Sequence, residues 1–290
     1  MGTNMKSKLF DIIITVFTAV LVIICITPIL HVASVSLSSN VAILSKKVYI
    51  WPVELNFEAY KNVLTDKSMI RSLFFTMGLT VLCAALSMLM TIMAAYPVTK
   101  KHLKGRNVFM IMVIITMYFN GGIIPEYLLV RNIGLYDKIW AMVLPSTLSA
   151  FNLILLKSFF SKLPESLMES AHLDGASHMT ILIKIILPLS TPVLATLSLF
   201  YAVGRWNGFQ DALLYIQNTR LYPIQLKLYQ IVYNNQMSEI AQMEGTSTLI
   251  IPPESLKGAC VMFATIPIIL VYPWLQKYFV SGVTLGAIKG

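Results

Sequence analysis

This sequence has little charge. Asp, Glu, Lys and Arg make up 12% of its 290 residues, against about 25% in an ordinary soluble domain, and that deficit excludes the soluble globular class. Cysteine is sparse too. Cys25, Cys83 and Cys260 lie far apart, in or at the edge of apolar runs, and form no C-x-x-C pair. A redox or thiolate metal site built on paired cysteines is therefore excluded, and the three are expected to behave as small hydrophobes. His31, His102, His172 and His178 show no metal-ligand spacing, so neither a metal nor a cofactor is expected in this chain. There is no G-x-x-x-x-G-K-[ST] phosphate loop, so any nucleotide-driven work must be done by a separate chain. H-E-x-x-H, a credible Ser-His-Asp set and paired carboxylates within an apolar run are all missing, and an enzyme is not expected. The apolar runs are almost free of charge, which argues against a proton- or sodium-coupled carrier; uncoupled diffusion stays open. Basic-aromatic ladders of the kind single-stranded nucleic acid requires are absent, as are heptads and low-complexity tracts.

What is present is apolar: 57% of residues are hydrophobic and the mean hydropathy is +0.73. Apolar runs of about 18 or more residues are candidate membrane spans. Six occur, at Ile12 to Leu30, Ser72 to Val98, Asn107 to Ile124, Ile139 to Leu156, Ile185 to Gly204 and Gly258 to Gln276. The expectation is an all-α integral membrane protein with six transmembrane helices, forming a single domain over residues 1–290. The first run is long and no small-x-small cleavage site follows it closely, so it reads as a retained helix rather than a signal peptide. Val35 to Arg71 reads as a loop whose Trp51 and Phe57 suit the headgroup level. The third run ends in Asn120-Gly121-Gly122 and Pro125. That is either an unwound end lining a cavity or a plain helix stop. Pro188 and Pro192 should bend the fifth run. A large outer loop, residues 207–257, contains a helically spaced stretch from Pro223 to Tyr233.

The net charge of +9 is concentrated where membrane proteins keep it. Lys100, Lys101, Lys104 and Arg106 lie in one short loop, which the positive-inside rule puts in the cytoplasm. Counting spans from there puts both termini inside, together with the segment between the fourth and fifth runs.

That segment, residues 164–188, is polar and helix-forming although it lies between two apolar runs. Pro164 suits a first helical turn, and Glu165 suits the positive end of the helix dipole. Leu167 and Ala171 share one face, as do Met168 and His172. Asp174-Gly175 should stop the helix, because Gly enters the left-handed conformation without a Cβ clash. A second helix should start near Ala176 and enter the membrane by about Ile185. The outcome is a short surface helix, a sharp turn and a rising helix.

The spacing resembles the EAA motif of permease subunits of binding-protein-dependent ABC importers: E-A-A, three residues, G, nine residues, then I-x-L-P. Here the positions are Glu169-Ser170-Ala171, Gly175, Ile185 and Leu187-Pro188, with Ser170 as the departure. Further stretches are similar to the sugar-importing branch, and within it to oligosaccharide permeases of the LplC type. These are Thr116-Met117 with Gly121 to Pro125, Pro164 to Leu167, Trp206-Asn207, Leu221-Tyr222-Pro223, and Tyr272-Pro273 to Gly290 with Lys289-Gly290. The resemblance implies a cytoplasmic coupling helix between spans four and five, with Glu169, Ser170, Ala171, Asp174 and Gly175 meeting an ATPase. It also implies two ATPase subunits that bind ATP and Mg, a second permease (more often a different chain) and an extracytoplasmic sugar-binding protein. The setting would be a bacterial cytoplasmic membrane, crossed several times, with membrane lipid around the chain and no nucleic acid.

Sugars are recognised by aromatic faces and by amide or hydroxyl partners. Candidates for the substrate path are Tyr118, Asn120, Asn152, Tyr201, Trp206 and Asn207, each of which also suits helix packing or interfacial anchoring. Lys46, Lys47, Arg205, Arg220 and Lys227 are compatible with an acidic, uronate-containing oligosaccharide, and equally with a solvated surface. Three competing readings stand beside the sugar importer: a permease of the same architecture for another solute, a stand-alone channel or secondary carrier, and a non-transporting scaffold.

Overall fold

The computed structural model describes residues 3–243 and 254–287. Residues 244–253 of the expected outer loop and the Lys289-Gly290 match lie outside them. Among the described residues there is no strand. In chain order the helices are α1 Thr3–Ser36, α2 Asn40–Leu44, α3 Glu58–Thr65, α4 Lys67–Thr99, α5 Arg106–Tyr118, α6 Ile123–Asn132, α7 Trp140–Val143 and α8 Ala150–Phe160. They continue with α9 Glu165–Leu173, α10 His178–Ile181, a π-helical turn Leu182–Ile186, α11 Leu187–Leu189, α12 Thr191–Asn207, α13 Gln210–Tyr215, α14 Ile224–Met243 and α15 Glu254–Ala287.

Three stretches are single helices long and apolar enough to cross a bilayer: Phe10–Ser36, Lys67–Thr99 and Glu254–Val271. Two more crossings arise if each bent pair counts as one. The expected third run is broken at residues 119–122, and α5 meets α6 at 117°. The expected fifth run is bent by 83° between His178–Leu189 and Thr191–Asn207. The fourth run departs most from expectation, because Ile139 to Leu156 is not one helix. Pro145 lacks the N–H that would continue the helical ladder, and the chain stays non-helical over residues 144–149. Ser149 then starts α8 afresh, its Oγ accepting from the Asn152 N–H at 3.3 Å. The eleven residues of α8 span roughly 16 Å at about 1.5 Å per residue, short of the ~30 Å hydrocarbon layer. The expected first loop is also largely helical: α1 runs to Ser36, α2 and α3 follow, and α4 begins at Lys67.

The described residues form two compact units, Met1–Ile70 with Leu228–Pro267, and Arg71–Lys227 with Ile268–Gly290. In the first, the most apolar part of α1 has a mean hydropathy of 2.8 and no buried residue. Water does not suit such a surface; lipid or an apolar partner does. The end of α1 is tied down by hydroxyls. Ser36 Oγ lies 2.8 Å from the Tyr60 hydroxyl, and Ser38 Oγ accepts from the Val53 N–H at 3.0 Å. Here α15 comes so close that a Cβ on Gly258 would stand 3.1 Å from the Ser36 nitrogen. Small residues at such crossings let backbones approach where lipid supplies no hydrophobic drive.

In the second unit α4 serves two clusters. Leu79 and Cys83 pack with Val130, Met142, Ala212 and Tyr215. Further along, Met88, Ala95 and Tyr96 pack with Leu153, Leu156, Phe160 and Ile181. Thr76 fastens the first cluster by accepting the buried Ile224 N–H at 2.8 Å.

Candidate functional site

Each end of the second unit carries a site. The surface helix α9 is one. Pro164 stands just before it, in extended backbone with ψ 123°, rather than inside the first turn. The helix ends in a Schellman motif. The Gly175 N–H donates to the His172 carbonyl at 3.0 Å, and the Ala176 N–H to the Ala171 carbonyl at 2.9 Å. Gly175 has φ +80°, the left-handed conformation that L side chains resist. α10 starts two residues later than expected, at His178, because Ser177 caps it: Ser177 Oγ accepts from the Thr180 N–H at 3.2 Å.

The face that α9 turns to its own unit carries Met168 and Ala171, half-buried and packed against the second cluster, while Leu167 is 45% exposed. Glu169, Ser170, His172 and Asp174 are exposed, and Leu173 is 90% exposed. The helix thus grips its own unit on one side and offers an acidic, partly apolar surface on the other. The His172 and His178 rings meet edge to face at 4.7 Å across the turn. Glu165, in the first turn, pairs with Lys101 at 2.8 Å. The hydrogen bond from Lys101 and then its charge hold the Glu165 carboxyl below its ordinary 4.5. The basic loop and α9 therefore lie at the same end of the unit.

The other site is an open cavity of about 590 Å³. Asn120, Glu126, Ser146, Asn207, Gln210 and Tyr215 are among its lining residues, with Arg205 and Asp211. Asn120 sits in the break between α5 and α6, where its Oδ1 accepts from the Gly122 N–H at 2.8 Å. Asn207 is the last residue of α12. Behind them Arg205 is buried and engaged through both terminal nitrogens, while its Nε has no partner among the described residues. It donates to the Met142 carbonyl at 3.2 Å, to the Gly208 carbonyl at 2.9 Å and to Asp211 Oδ1 at 3.0 Å, with a second, shorter contact to Asp211 Oδ2. The Tyr215 hydroxyl is pushed up by burial and by the nearby Glu126 and Asp211 carboxylates.

Of the six substrate-path candidates, the cavity brings Asn120 and Asn207 together. The other four do not line it. Tyr118 is 80% exposed at the end of α5, and Asn152 is buried in α8. The Tyr201 hydroxyl ties α4 to the start of α8, 2.7 Å from Thr91 Oγ1 and 3.2 Å from the Ser149 nitrogen. Trp206 is buried, its ring N–H without a partner among the described residues. Sequence reasoning missed Glu126, Gln210 and Asp211. Glu126 is an isolated carboxylate beside an apolar run, and that was the available signal. Among the basic residues expected to suit an acidic sugar, Arg205 is committed to Asp211, and Lys227 lies 5.5 Å over the Tyr222 ring.

The second unit thus carries a capped surface helix at one end and a polar cavity at the other. Residues 87–285 match the family described as binding-protein-dependent transport system inner membrane component, and the chain belongs to that family. It is 40% identical to the polygalacturonan/rhamnogalacturonan transport system permease protein YtcP of Bacillus subtilis (strain 168), covering 99% of this chain and 100% of that protein. It is 39% identical to the protein LplC of the same organism, over 100% and 98% of the two chains. A solved structure of a bacterial ABC transporter involved in the import of the acidic polysaccharide alginate superposes with TM-score 0.84. That match has 32% identity and covers 94% of this chain and 98% of the other. Family membership puts the chain in a multi-component transport system, as the EAA resemblance implied, and not among stand-alone carriers.

Proposed function

We propose that this chain is a permease subunit of an ATP-driven importer of oligosaccharides that contain uronate residues. The observation that carries this reading is similarity along the whole chain to permeases named for galacturonan-type and alginate substrates. An extracytoplasmic binding protein delivers the sugar. A second permease, a different chain, completes the path, and two ATPase subunits bind ATP and Mg. The chain crosses a bacterial cytoplasmic membrane six times with both termini inside, on the count that takes each bent pair as one span and the interrupted stretch from Trp140 to Phe160 as the fourth. The shared location of the Lys100–Arg106 loop and α9 supports a cytoplasmic α9, because that loop obeys the positive-inside rule.

Closure of the ATPase pair on ATP moves α9 through the exposed Glu169, Ser170, Asp174 and Gly175, while Ala171, on the inward face, holds α9 to its own unit. The movement passes through the Gly175 turn into α10, through the bend at Ser190 into α12, and so to Asn207 at the outer cavity. Opening lets the binding protein release sugar to Asn120 and Asn207, whose amides suit hydroxyl groups. Hydrolysis then resets the path.

A neutral oligosaccharide is the second reading, and one observation favours it. Among the charged lining residues of the cavity, Glu126 and Asp211 against Arg205 leave one net negative charge, and the guanidinium is already paired. Carboxylates on a uronate substrate would have to be met by the other permease. The test is ATPase activity and uptake by the reconstituted complex with oligogalacturonides and with uncharged malto-oligosaccharides of equal length. Stimulation by the galacturonides alone supports the first reading; stimulation by the neutral sugars alone replaces it with the second. Uptake without the ATPase subunits overturns ATP coupling.

A further inference from the structure

A second cavity, about 510 Å³, lies beside α9. Its charged lining residues are Lys100, Lys101, Arg106, Lys157, Glu165 and Glu169. Four cations against two carboxylates leave two positive charges with histidine neutral. Lys101 is paired with Glu165. Lys100, Arg106 and Lys157 are half-buried, and among the described residues none of the three has a carboxylate within ion-pair distance. Lys100 instead stands 4.9 Å over the Tyr96 ring and 3.6 Å from Met168 Sδ. Partly desolvated cations with no paired carboxylate are costly, and the Glu165 charge that reaches Lys100 is already shared with Lys101, so the cavity is built for an anion.

The position of the cavity says which anion. Three apolar helices end at its rim: α4 stops at Thr99, α5 starts at Arg106, and Lys157 lies in the last turn of α8. A lysine there runs its stem along hydrocarbon and holds its ammonium at the polar boundary. Phe160, Leu163 and Met168 supply an apolar wall. Basic pockets between spanning helices on the inner face suit anionic headgroups.

We propose that this cavity holds the phosphate headgroup of an anionic phospholipid, clasped by Lys100, Arg106 and Lys157 between the helix ends and α9. Burial lowers the Lys100 pKa, and a bound phosphate would oppose that shift. The proposal needs the chain to span a membrane and is independent of the sugar transported.

The test uses the assembled complex, stripped of lipid and titrated with dioctanoyl phosphatidylglycerol, dioctanoyl phosphatidylcholine or inorganic phosphate, with binding read by native mass spectrometry. Phosphatidylglycerol should bind saturably and phosphatidylcholine should not. Removing a cation should weaken binding about five-fold, and the triple variant Lys100→Gln, Arg106→Gln, Lys157→Gln about a hundred-fold. Lys157→Arg should bind as wild type. If the triple variant does not assemble, Lys157→Gln alone reads the five-fold change. Equal binding of phosphatidylcholine, or an unchanged affinity in the variants, overturns the proposal. Inorganic phosphate competing at equal affinity reassigns the cavity to free phosphate. Loss of the ATPase subunit from the triple variant with phosphatidylglycerol binding intact makes the cavity an ATPase contact instead. Failure of sugar uptake with lipid binding retained counts against the transport reading and leaves this one standing.

Discussion

Lys101 Nζ sits 2.8 Å from Glu165 Oε2, joining the turn after α4 to the first turn of α9. The side chains are 77% and 61% exposed, so salt should screen the pair strongly. A carboxyl lowered in the folded state contributes stability above its unfolded value and loses it as pH falls through the lowered one. The contact is therefore present at neutral pH and is lost in acid, below 4.5. Carboxyl-carbon NMR of labelled Glu165 should titrate below 4.5 in the wild type, and Lys101→Met should move the midpoint back up. A midpoint that ignores Lys101 removes the pair from the account.

Gly175 has open space where a Cβ would be, with no atom within 4 Å, yet φ is +80°. The cost of a side chain is thus torsional, roughly 1–2 kcal/mol for an ordinary L residue. Asn tolerates this region; β-branched residues do not. Gly175→Asn should keep ATP-driven uptake within about two-fold of wild type. Gly175→Val should cut uptake about ten-fold or more while ATP hydrolysis continues, roughly the rate expected from misdirecting a coupling element by 1.4 kcal/mol or more. Normal uptake by the Val variant would remove Gly175 from the coupling role.

The buried Arg205 has one carboxylate partner, Asp211. Asp211→Ala should strand the guanidinium and cost about 3–5 kcal/mol, visible as a large drop in thermal midpoint of the solubilised chain. Arg205→Met with Asp211→Leu should recover most of that loss, since apolar replacement of a buried pair is often neutral. Equal stability of Asp211→Ala and wild type would show that the pair contributes nothing.

In the loop expected to lie outside, α14 begins with Ile224 and Leu226, which are buried at 0% and 1% exposure. Deleting Tyr222 to Tyr233 would therefore damage packing as well as any docking surface. Point changes separate the two effects. Val232 and Tyr233 are 39% and 46% exposed, and Tyr233 stacks on Tyr229 at 5.8 Å, so Val232→Ser with Tyr233→Ala should cost folding no more than about 1.5 kcal/mol. If this loop meets the binding protein, transport at limiting binding protein should fall several-fold. Unchanged transport would locate that contact elsewhere.

The parts of this molecule that are written locally were readable. Pro164, the Glu169 to Gly175 spacing and the turn glycine announce α9 and its end, because caps and left-handed turns depend on a few neighbouring residues. The long apolar runs announce α1, α4 and α15 for the same reason. The fourth run misled because apolar residues dominate it and its small polar residues, Ser146, Thr147 and Ser149, do not by themselves mark the interruption at Pro145. Asn120 and Asn207 are 87 positions apart, 207 less 120, and only packing brings them to one cavity. Arg205 reads as a loose surface cation since its partner, six residues on, lies beyond the helix end at Gly208. No periodic pattern marks such a pair.

If α9 transmits the ATPase stroke as proposed, the bend at Ser190 acts as a crank. With 83° between the two halves, any push along the axis of the first appears along the second at about one-eighth strength, cos 83° being 0.12. The remainder becomes a sideways swing of the far end, where Asn207 stands. A rigid straight rod in this place would pump its tip up and down; this elbow makes the tip sweep across the mouth.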